Sequence, residues 1–138
     1  MNAFWLAVVT ACIWGLVPIL EKAGLSKTDP MVALFYRCLG VIVGLLLLSL
    51  FIVRPEQIRS VNAKSIFLLV LAGFLASFVA QITFYYGLKL GEVSRVVPIS
   101  STYHLIAVML GILIFKEGVT LAKIVGASLI FAGAWLLK

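Results

Sequence analysis

The chain has 138 residues, of which 64% are hydrophobic and 12% are charged, and its mean hydropathy is +1.22. Because a soluble domain carries about 25% charged residues, this composition excludes an ordinary soluble enzyme and predicts a protein of the lipid bilayer. The net charge of +6 is not typical of a nucleic-acid-binding surface, since the eleven Lys and Arg residues are scattered singly, mostly at the ends of apolar runs.

Five apolar segments are long enough to be transmembrane helices, each of which needs about 20 residues. They cover approximately residues 3–23, 31–53, 65–88, 93–115 and 119–137. The connections are short, so neighbouring helices are expected to be antiparallel. In the first connection, Asp29 is placed to cap the second helix and Pro30 to occupy its first turn. The fold class predicted is an all-α integral membrane protein, one five-helix unit over residues 1–138.

The polar residues within the first two helices are candidates for function, because burying them in the membrane is costly. In the first helix, Trp14, Pro18 and Glu21 share one face. Glu21 has two interpretations: an interfacial charge paired with Lys22 or capping the loop, or a cavity carboxylate that binds a cation or proton. Arg37, about two turns inside the second helix, either snorkels to the surface or faces a wet cavity. There it would pair with Glu21 or hold an anionic group.

The third and fourth helices carry the other candidates. In the third, Gln81 and Tyr85 lie on one stripe with Ser77; an interhelical hydrogen bond for Gln81 and an aromatic belt for Tyr85 are the alternatives to a pathway role. The fourth helix has five polar residues in succession, from Ser100 to His104. Pro98 precedes them and removes a backbone donor, an arrangement typical of transporter binding sites. The candidates here are listed as Pro98, Ser101, Tyr103 and His104. His104 either carries a proton or bonds to a neighbouring helix.

The fifth helix has small residues at Gly126, Ala127, Gly133 and Ala134, which predict a packing or dimerisation surface. The sequence contains no catalytic motif, metal-ligand cluster or phosphate-binding loop. We therefore expect no enzyme activity, no cofactor and no metal.

The distribution of basic residues between the two sides of the membrane hardly favours one orientation of the protein over the other. The side of the second and fourth connections holds five, listed as Arg54, Arg59, Lys64, Lys116 and Lys123. The other side holds six, listed as Lys22, Lys27, Lys89, Arg95, Lys138 and the deeper Arg37. The orientation of a membrane protein usually follows the difference in the number of basic residues between its two sides. Either another determinant sets one orientation, or the protein inserts in both, which is dual topology.

The order and spacing of several short motifs along the five segments complete the pattern. They are Ile13-Trp14-Gly15-Leu16-Val17-Pro18, Phe84-Tyr85-Tyr86-Gly87-Leu88-Lys89, Val97-Pro98-Ile99, Lys116-Glu117-Gly118-Val119-Thr120 and Gly126-Ala127-Ser128-Leu129-Ile130-Phe131-Ala132-Gly133. With these motifs the chain resembles the EamA family of the drug/metabolite transporter superfamily along nearly its whole length. Members of that family usually carry two such units with inverted topology. The resemblance therefore implies that this chain is half of a ten-helix inverted-repeat transporter, working as a homodimer or with a paralogous half.

Three functional hypotheses follow. The first is a secondary transporter of a small metabolite or drug, in the inner or plasma membrane, that works by alternating access in an antiparallel dimer. The second is a non-transporting subunit or scaffold that pairs with another membrane protein. The third is a flippase for a lipid-linked carrier, in which Arg37 would contact phosphate. None of them involves nucleic acid.

Overall fold

The computed structural model describes residues 2–137, and within that range the chain is helical with no β-strand. The helical elements follow one another as α1 (Ala3–Leu25), α2 (Pro30–Phe51), α3 (Pro55–Arg59), α4 (Ala63–Phe74), a π-helical segment (Leu75–Val79), α5 (Ala80–Leu90), α6 (Val93–Ser100), α7 (Tyr103–Phe115) and α8 (Leu121–Leu136). The third span, Ala63–Leu90, consists of α4, the π segment and α5. The fourth span, Val93–Phe115, consists of α6 and α7.

Four of the helices are long and apolar enough to cross a membrane: Ala3–Leu25, Pro30–Phe51, Ala63–Leu90 and Val93–Phe115. The fifth predicted segment, over residues 119–137, is a shorter apolar helix of 16 residues, Leu121–Leu136. At 1.5 Å per residue α8 is about 24 Å long, less than the roughly 30 Å of a bilayer's hydrocarbon core. The multi-pass membrane class is confirmed, and the count of five spanning helices stays a prediction.

Local chemistry determines where the helices begin. Asp29 Oδ1 accepts a hydrogen bond of 2.8 Å from the Met31 amide, and Pro30 stands in the first turn, so the predicted cap of α2 is confirmed. Asn62 caps α4 in the same way, accepting from the Ser65 amide at 2.8 Å. The short helix α3 was not predicted, because its five residues are too few to show a periodic pattern.

The fourth span is interrupted where the polar residues lie. The segment α6 ends at Ser100, and α7 begins at Tyr103 after a turn. At this turn the amides of His104 and Leu105 bond to carbonyls three residues back instead of four, at 3.1 and 2.9 Å. The break expected beside Pro98 is therefore present, three to four residues after the proline.

The chain divides into two compact units, one ending at Lys89 and the other beginning at Leu90. The first contains α1 to α5, the last as far as Lys89. It holds all the buried residues of the described part of the chain, which are Pro18, Leu25, Pro30, Leu34, Tyr85 and Leu88. In the second unit, α8 contacts both α6 and α7, and Lys123 pairs with Glu117 at 3.0 Å. In both units most large apolar side chains are exposed in the single chain, as expected of residues that contact lipid.

Two lysines join the C-terminal ends of α1 and α5. Lys89, on α5, donates to the carbonyl of Leu25, the last residue of α1, at 2.6 Å. It also donates to the carbonyl of Thr28, in the connection that follows, at 3.2 Å. Lys22, on α1, donates in return to the carbonyl of Leu88. Cations near the last carbonyls of a helix satisfy unpaired acceptors and interact favourably with the helix dipole. We call these bonds of Lys22 and Lys89 the lysine clasp. They hold the C-terminal ends of α1 and α5 together on one side of the first unit.

Candidate functional site

The first unit contains an ion pair between two of the predicted site residues. Arg37 Nε donates to Glu21 Oε1 at 3.2 Å. The Glu21 side chain is 8% exposed, and the Arg37 side chain is 25% exposed. Of the interpretations left open by the sequence, the structure therefore selects the pairing of Arg37 with Glu21. It does not show Arg37 extended to the surface.

The position of the pair along the helices explains why the two charges meet. Glu21 lies four residues before the end of α1, about 6 Å along the axis. Arg37 lies seven residues after the start of α2, about 10 Å along the axis. Helices joined by a short connection return past each other, so these depths nearly coincide. Each charge compensates the other at a depth where a lone charge would be costly.

The third span supplies two further partners. Tyr85 is 3% exposed, and its hydroxyl donates to Glu21 Oε1 at 3.1 Å. Arg37 Nη1 donates to the backbone carbonyl of Ser77, inside the π segment, at 3.2 Å. The stripe predicted through Ser77, Gln81 and Tyr85 therefore faces α1 and α2. We call Glu21, Arg37 and Tyr85 the charged cluster.

An open cavity of about 410 Å³ lies against the charged cluster, and two of its lining residues, Leu20 and Tyr36, are largely exposed in the single chain. Its volume is within the range of about 300 to 1,000 Å³ typical of small-molecule sites. The cavity wall is mainly apolar and includes the whole cluster. The lining residues are Val17, Leu20, Glu21, Gly24, Thr28, Ala33, Tyr36, Arg37 and Tyr85. A mainly apolar cavity with a few convergent polar groups suits a small amphipathic molecule.

Three other predicted residues of the first unit lie outside this lining. Trp14 is 62% exposed in the single chain. Pro18 is buried inside α1. Gln81 has a buried side-chain oxygen, Oε1, that accepts no hydrogen bond from the described residues. The interhelical bond expected for Gln81 is therefore absent at this oxygen.

In the second unit, the polar groups of the fourth span bond mainly to their own backbone. The Ser101 hydroxyl donates to the Val97 carbonyl at 2.8 Å. His104 Nδ1 lies 2.6 Å from the Ser101 carbonyl and its ring stacks on Tyr103, with centroids 4.2 Å apart. The hydrogen bond of His104 is thus made within the fourth span, to the turn between α6 and α7, and not to another span. Pro98 is half-buried, and Tyr103 and His104 are exposed in the single chain.

The comparison with known families agrees with this geometry. A model of the EamA-like transporter family matches residues 1–138, the whole length of the sequence. The chain belongs to the EamA-like transporter family. This family is part of the drug/metabolite transporter superfamily, so the resemblance carried by the motifs is confirmed.

Three relatives of this EamA-like chain differ in length. It is 24% identical, over 96% of its length, to an uncharacterized transporter of Archaeoglobus fulgidus, but spans only 46% of that relative. It is 30% identical to an uncharacterized protein of Methanocaldococcus jannaschii, covering 99% of the chain and 96% of the relative. It is 24% identical to an uncharacterized transporter, described as in the cobO 3′ region, of a Sinorhizobium species, covering 97% and 94%. No solved structure matches the chain.

Sequence reasoning missed six residues of the cavity wall in this EamA-like unit. They are Val17, Leu20, Gly24, Thr28, Ala33 and Tyr36. A signal for them was present, because Val17 and Gly24 lie four residues before and three after Glu21, and Ala33 lies four before Arg37. Such spacings place them on the faces of the two charged residues. They were passed over because apolar and small residues in a membrane helix are expected everywhere.

Proposed function

We propose that this EamA-like protein is a secondary transporter that moves a small metabolite or drug across the inner or plasma membrane by alternating access. One observation carries the proposal. A carboxylate and a guanidinium, Glu21 and Arg37, form part of the wall of a mainly apolar cavity inside membrane-spanning helices. Ionisable groups at such depth are costly, and in membrane proteins they mark substrate or ion pathways.

The chemistry of the charged cluster supports a substrate-binding role. Glu21 Oε1 already accepts from both Arg37 and Tyr85, while the hydrogen bonds of Arg37 among the described residues use Nε and Nη1. The second carboxylate oxygen and Nη2 make no hydrogen bond to the described residues. A guanidinium offers donors in a planar fork, which gives a bound molecule orientation as well as affinity.

We further propose that the working unit is an antiparallel dimer with ten helices. The Archaeoglobus relative is about twice the length of this chain, which matches 46% of it. The relatives from Methanocaldococcus and Sinorhizobium are close to this chain in length. Both observations support a half-size unit that pairs with a second copy or with a related half.

The transport proposal is tested in two steps with purified protein. A library of metabolites is first screened for molecules that raise the melting temperature of the wild type but not of Arg37→Gln. The hits are then supplied in labelled form to proteoliposomes. We expect saturable entry with wild type, and at least a tenfold loss with Arg37→Gln, because the variant removes the guanidinium and leaves Glu21 without its countercharge.

Arg59→Gln is the matched control, since Arg59 is exposed and lies in the connection between spans. It should transport like the wild type. Entry that is equal in Arg37→Gln and wild type would exclude the charged cluster from the pathway. Hits that bind the wild type but never enter the liposomes would favour the non-transporting subunit.

A further inference from the structure

The third span contains a π-helical segment, Leu75–Val79, directly opposite Arg37. At its end the Ala80 amide donates to the Leu75 carbonyl, five residues back instead of four. A π turn holds one residue more than an α-helical path would need. It therefore changes the rotation between the helix before it and the helix after it by about 100°.

Arg37 binds the backbone at the centre of this segment. Its Nη1 donates to the Ser77 carbonyl at 3.2 Å, while its Nε holds Glu21. In a continuous α-helix the carbonyl of residue 77 accepts from the amide four residues later, so the Arg37 bond places a side-chain donor on a carbonyl of the helix ladder. A side chain that bonds to a carbonyl of the helix ladder is a recognised cause of such local distortions. One guanidinium therefore joins the cavity to the backbone path of the third span.

The two halves of the third span are held very differently. On α5, Tyr85 bonds to Glu21, Lys89 takes part in the lysine clasp, and both Tyr85 and Leu88 are buried. By contrast, α4 has no buried residue. If the π turn closes, α4 is the half that turns, since α5 is anchored by Tyr85 and Lys89 whereas α4 has no buried residue in the single chain.

One side-chain acceptor near the π segment, the amide oxygen of Gln81, has no hydrogen-bond donor among the described residues. This oxygen is buried. An unpaired buried polar atom is unfavourable, because it has lost its hydrogen bonds to water. Gln81 lies two residues after the end of the π segment, so a change in the path of that segment would change its surroundings.

We infer that Arg37 is a positioning residue that couples occupancy of the cavity to the helical path of the third span. A ligand with an anionic oxygen group takes the guanidinium away from the Ser77 carbonyl. The π segment then closes into α-helix, the Leu75 carbonyl accepts from an amide four residues later instead of five, and α4 turns by about 100° while α5 stays in place. The part played by the ligand rests on the proposed transport function; the response of α4 to loss of the Arg37 donor does not.

Distances between spin labels test this response. The background is Cys12→Ser, Cys38→Ser. In the test pair, one label is at Ile19 on α1 and the other is at Phe67 on α4. In the control pair, the label at Ile19 is combined with one at Tyr86 on α5; all three side chains are exposed. Removing the donor with Arg37→Gln should change the Ile19–Phe67 distance by several ångströms, up to about 8 Å for a side chain some 5 Å from the helix axis. The Ile19–Tyr86 distance should remain as in the wild type.

A second variant removes the π turn while Arg37 is kept. Deletion of Ala76 removes the additional residue from the π segment, which leaves an uninterrupted α-helix with α4 and α5 in the same relative rotation as in the wild type, so both distances should remain as in the wild type. In the double variant with Arg37→Gln no π turn is left to close, so the change in the Ile19–Phe67 distance should be abolished. If Arg37→Gln does not fold, the transport rate of the Ala76 deletion decides the matter. An unchanged Ile19–Phe67 distance in folded Arg37→Gln, an equal change in both distances, or a change that persists in the double variant would overturn the inference.

Flux separates the inference from the proposed function. For a substrate that the wild type transports, the Ala76 deletion should lose at least tenfold in rate, because α4 no longer alternates between two positions. A wild-type rate in this deletion would overturn the coupling while leaving the transporter intact. If no substrate enters with the wild type, the transport proposal fails, and the label distances still decide whether Arg37 sets the path of α4.

Discussion

At the scale of single residues, two adjacent tyrosines have opposite surroundings. Tyr85 is 3% exposed and donates to Glu21, whereas Tyr86 is 44% exposed. Tyr85→Phe removes one hydrogen bond to a charged acceptor, and we expect it to lower the free energy of unfolding by about 1.5 kcal/mol. The measurement is thermal unfolding in detergent. Tyr86→Phe, which changes the same atom one position away, should melt like the wild type.

A Tyr85→Phe variant that melts at the wild-type temperature would contradict this account of the charged cluster. It would mean that Glu21 is held by Arg37 alone. In that case the hydroxyl of Tyr85 would contribute no net stability, and the burial of its ring would be the reason for its position. Reduced melting in both variants would point to a general sensitivity of this helix end.

The charged cluster was partly predictable from the sequence. Glu21 and Arg37 stood out because charges inside apolar runs are rare, and the pairing was one of the stated alternatives. The sequence did not show that Tyr85, and not Trp14, would meet the carboxylate. Both are aromatic residues on a polar stripe, and only the packing of the third span against α1 separates them. His104 was also ambiguous, since its partner is a backbone carbonyl, which every position offers.

At the scale of elements, the lysine clasp joins the ends of α1 and α5. Lys89 donates to three carbonyls of the first connection and the end of α1, the farthest at 3.5 Å from Ser26. Lys89→Met should leave these acceptors unpaired and remove a favourable charge near the helix end, destabilising this region by about 1 kcal/mol. We expect faster hydrogen exchange in the peptide that contains Leu25 to Thr28.

Lys27→Met is the matched control for the clasp, because Lys27 is exposed and lies in the same connection. Exchange in Lys27→Met should follow the wild type. Equal exchange in Lys89→Met and the wild type would show that solvent or headgroups replace Lys89 without cost. The clasp would then describe the geometry of the two ends, without stabilising them.

The helices were predictable to within a few residues, and the irregularities within them were not. Hydropathy locates a span because about 20 apolar residues must cover the bilayer. The π segment gives no such signal, since its composition, Leu-Ala-Ser-Phe-Val, is that of an ordinary membrane helix. Its contact with Arg37, through the Ser77 carbonyl, comes from another helix and leaves no trace in the segment's own sequence. A break near Pro98 was expected because proline removes a backbone donor, but that donor would bond to the carbonyl of Ser94, whereas the turn lies on the other side of the proline at Ser101 and Thr102.

At the scale of the whole molecule, the structure changes the charge count that governs orientation. Arg37 was counted on the side of the first and third connections, but its side chain is occupied by Glu21 and Ser77 inside the first unit. If the chain crosses the membrane five times as predicted, that side without Arg37 holds five basic residues and the other side also holds five. The rule considers basic residues in loops and near helix ends. The charges therefore favour neither orientation.

Equal charge on the two sides leads to a direct test of dual topology. In the Cys12→Ser, Cys38→Ser background, a single cysteine is placed either at Ser26 or at Ser60, which are exposed and lie in the first and second connections, on opposite sides of α2. Intact cells are treated with an impermeant thiol reagent before and after permeabilisation. If both orientations are inserted, each variant should be labelled to about half of its total in intact cells. Full labelling of one variant and none of the other would exclude the antiparallel homodimer, and an oppositely oriented related half would then have to complete the ten helices.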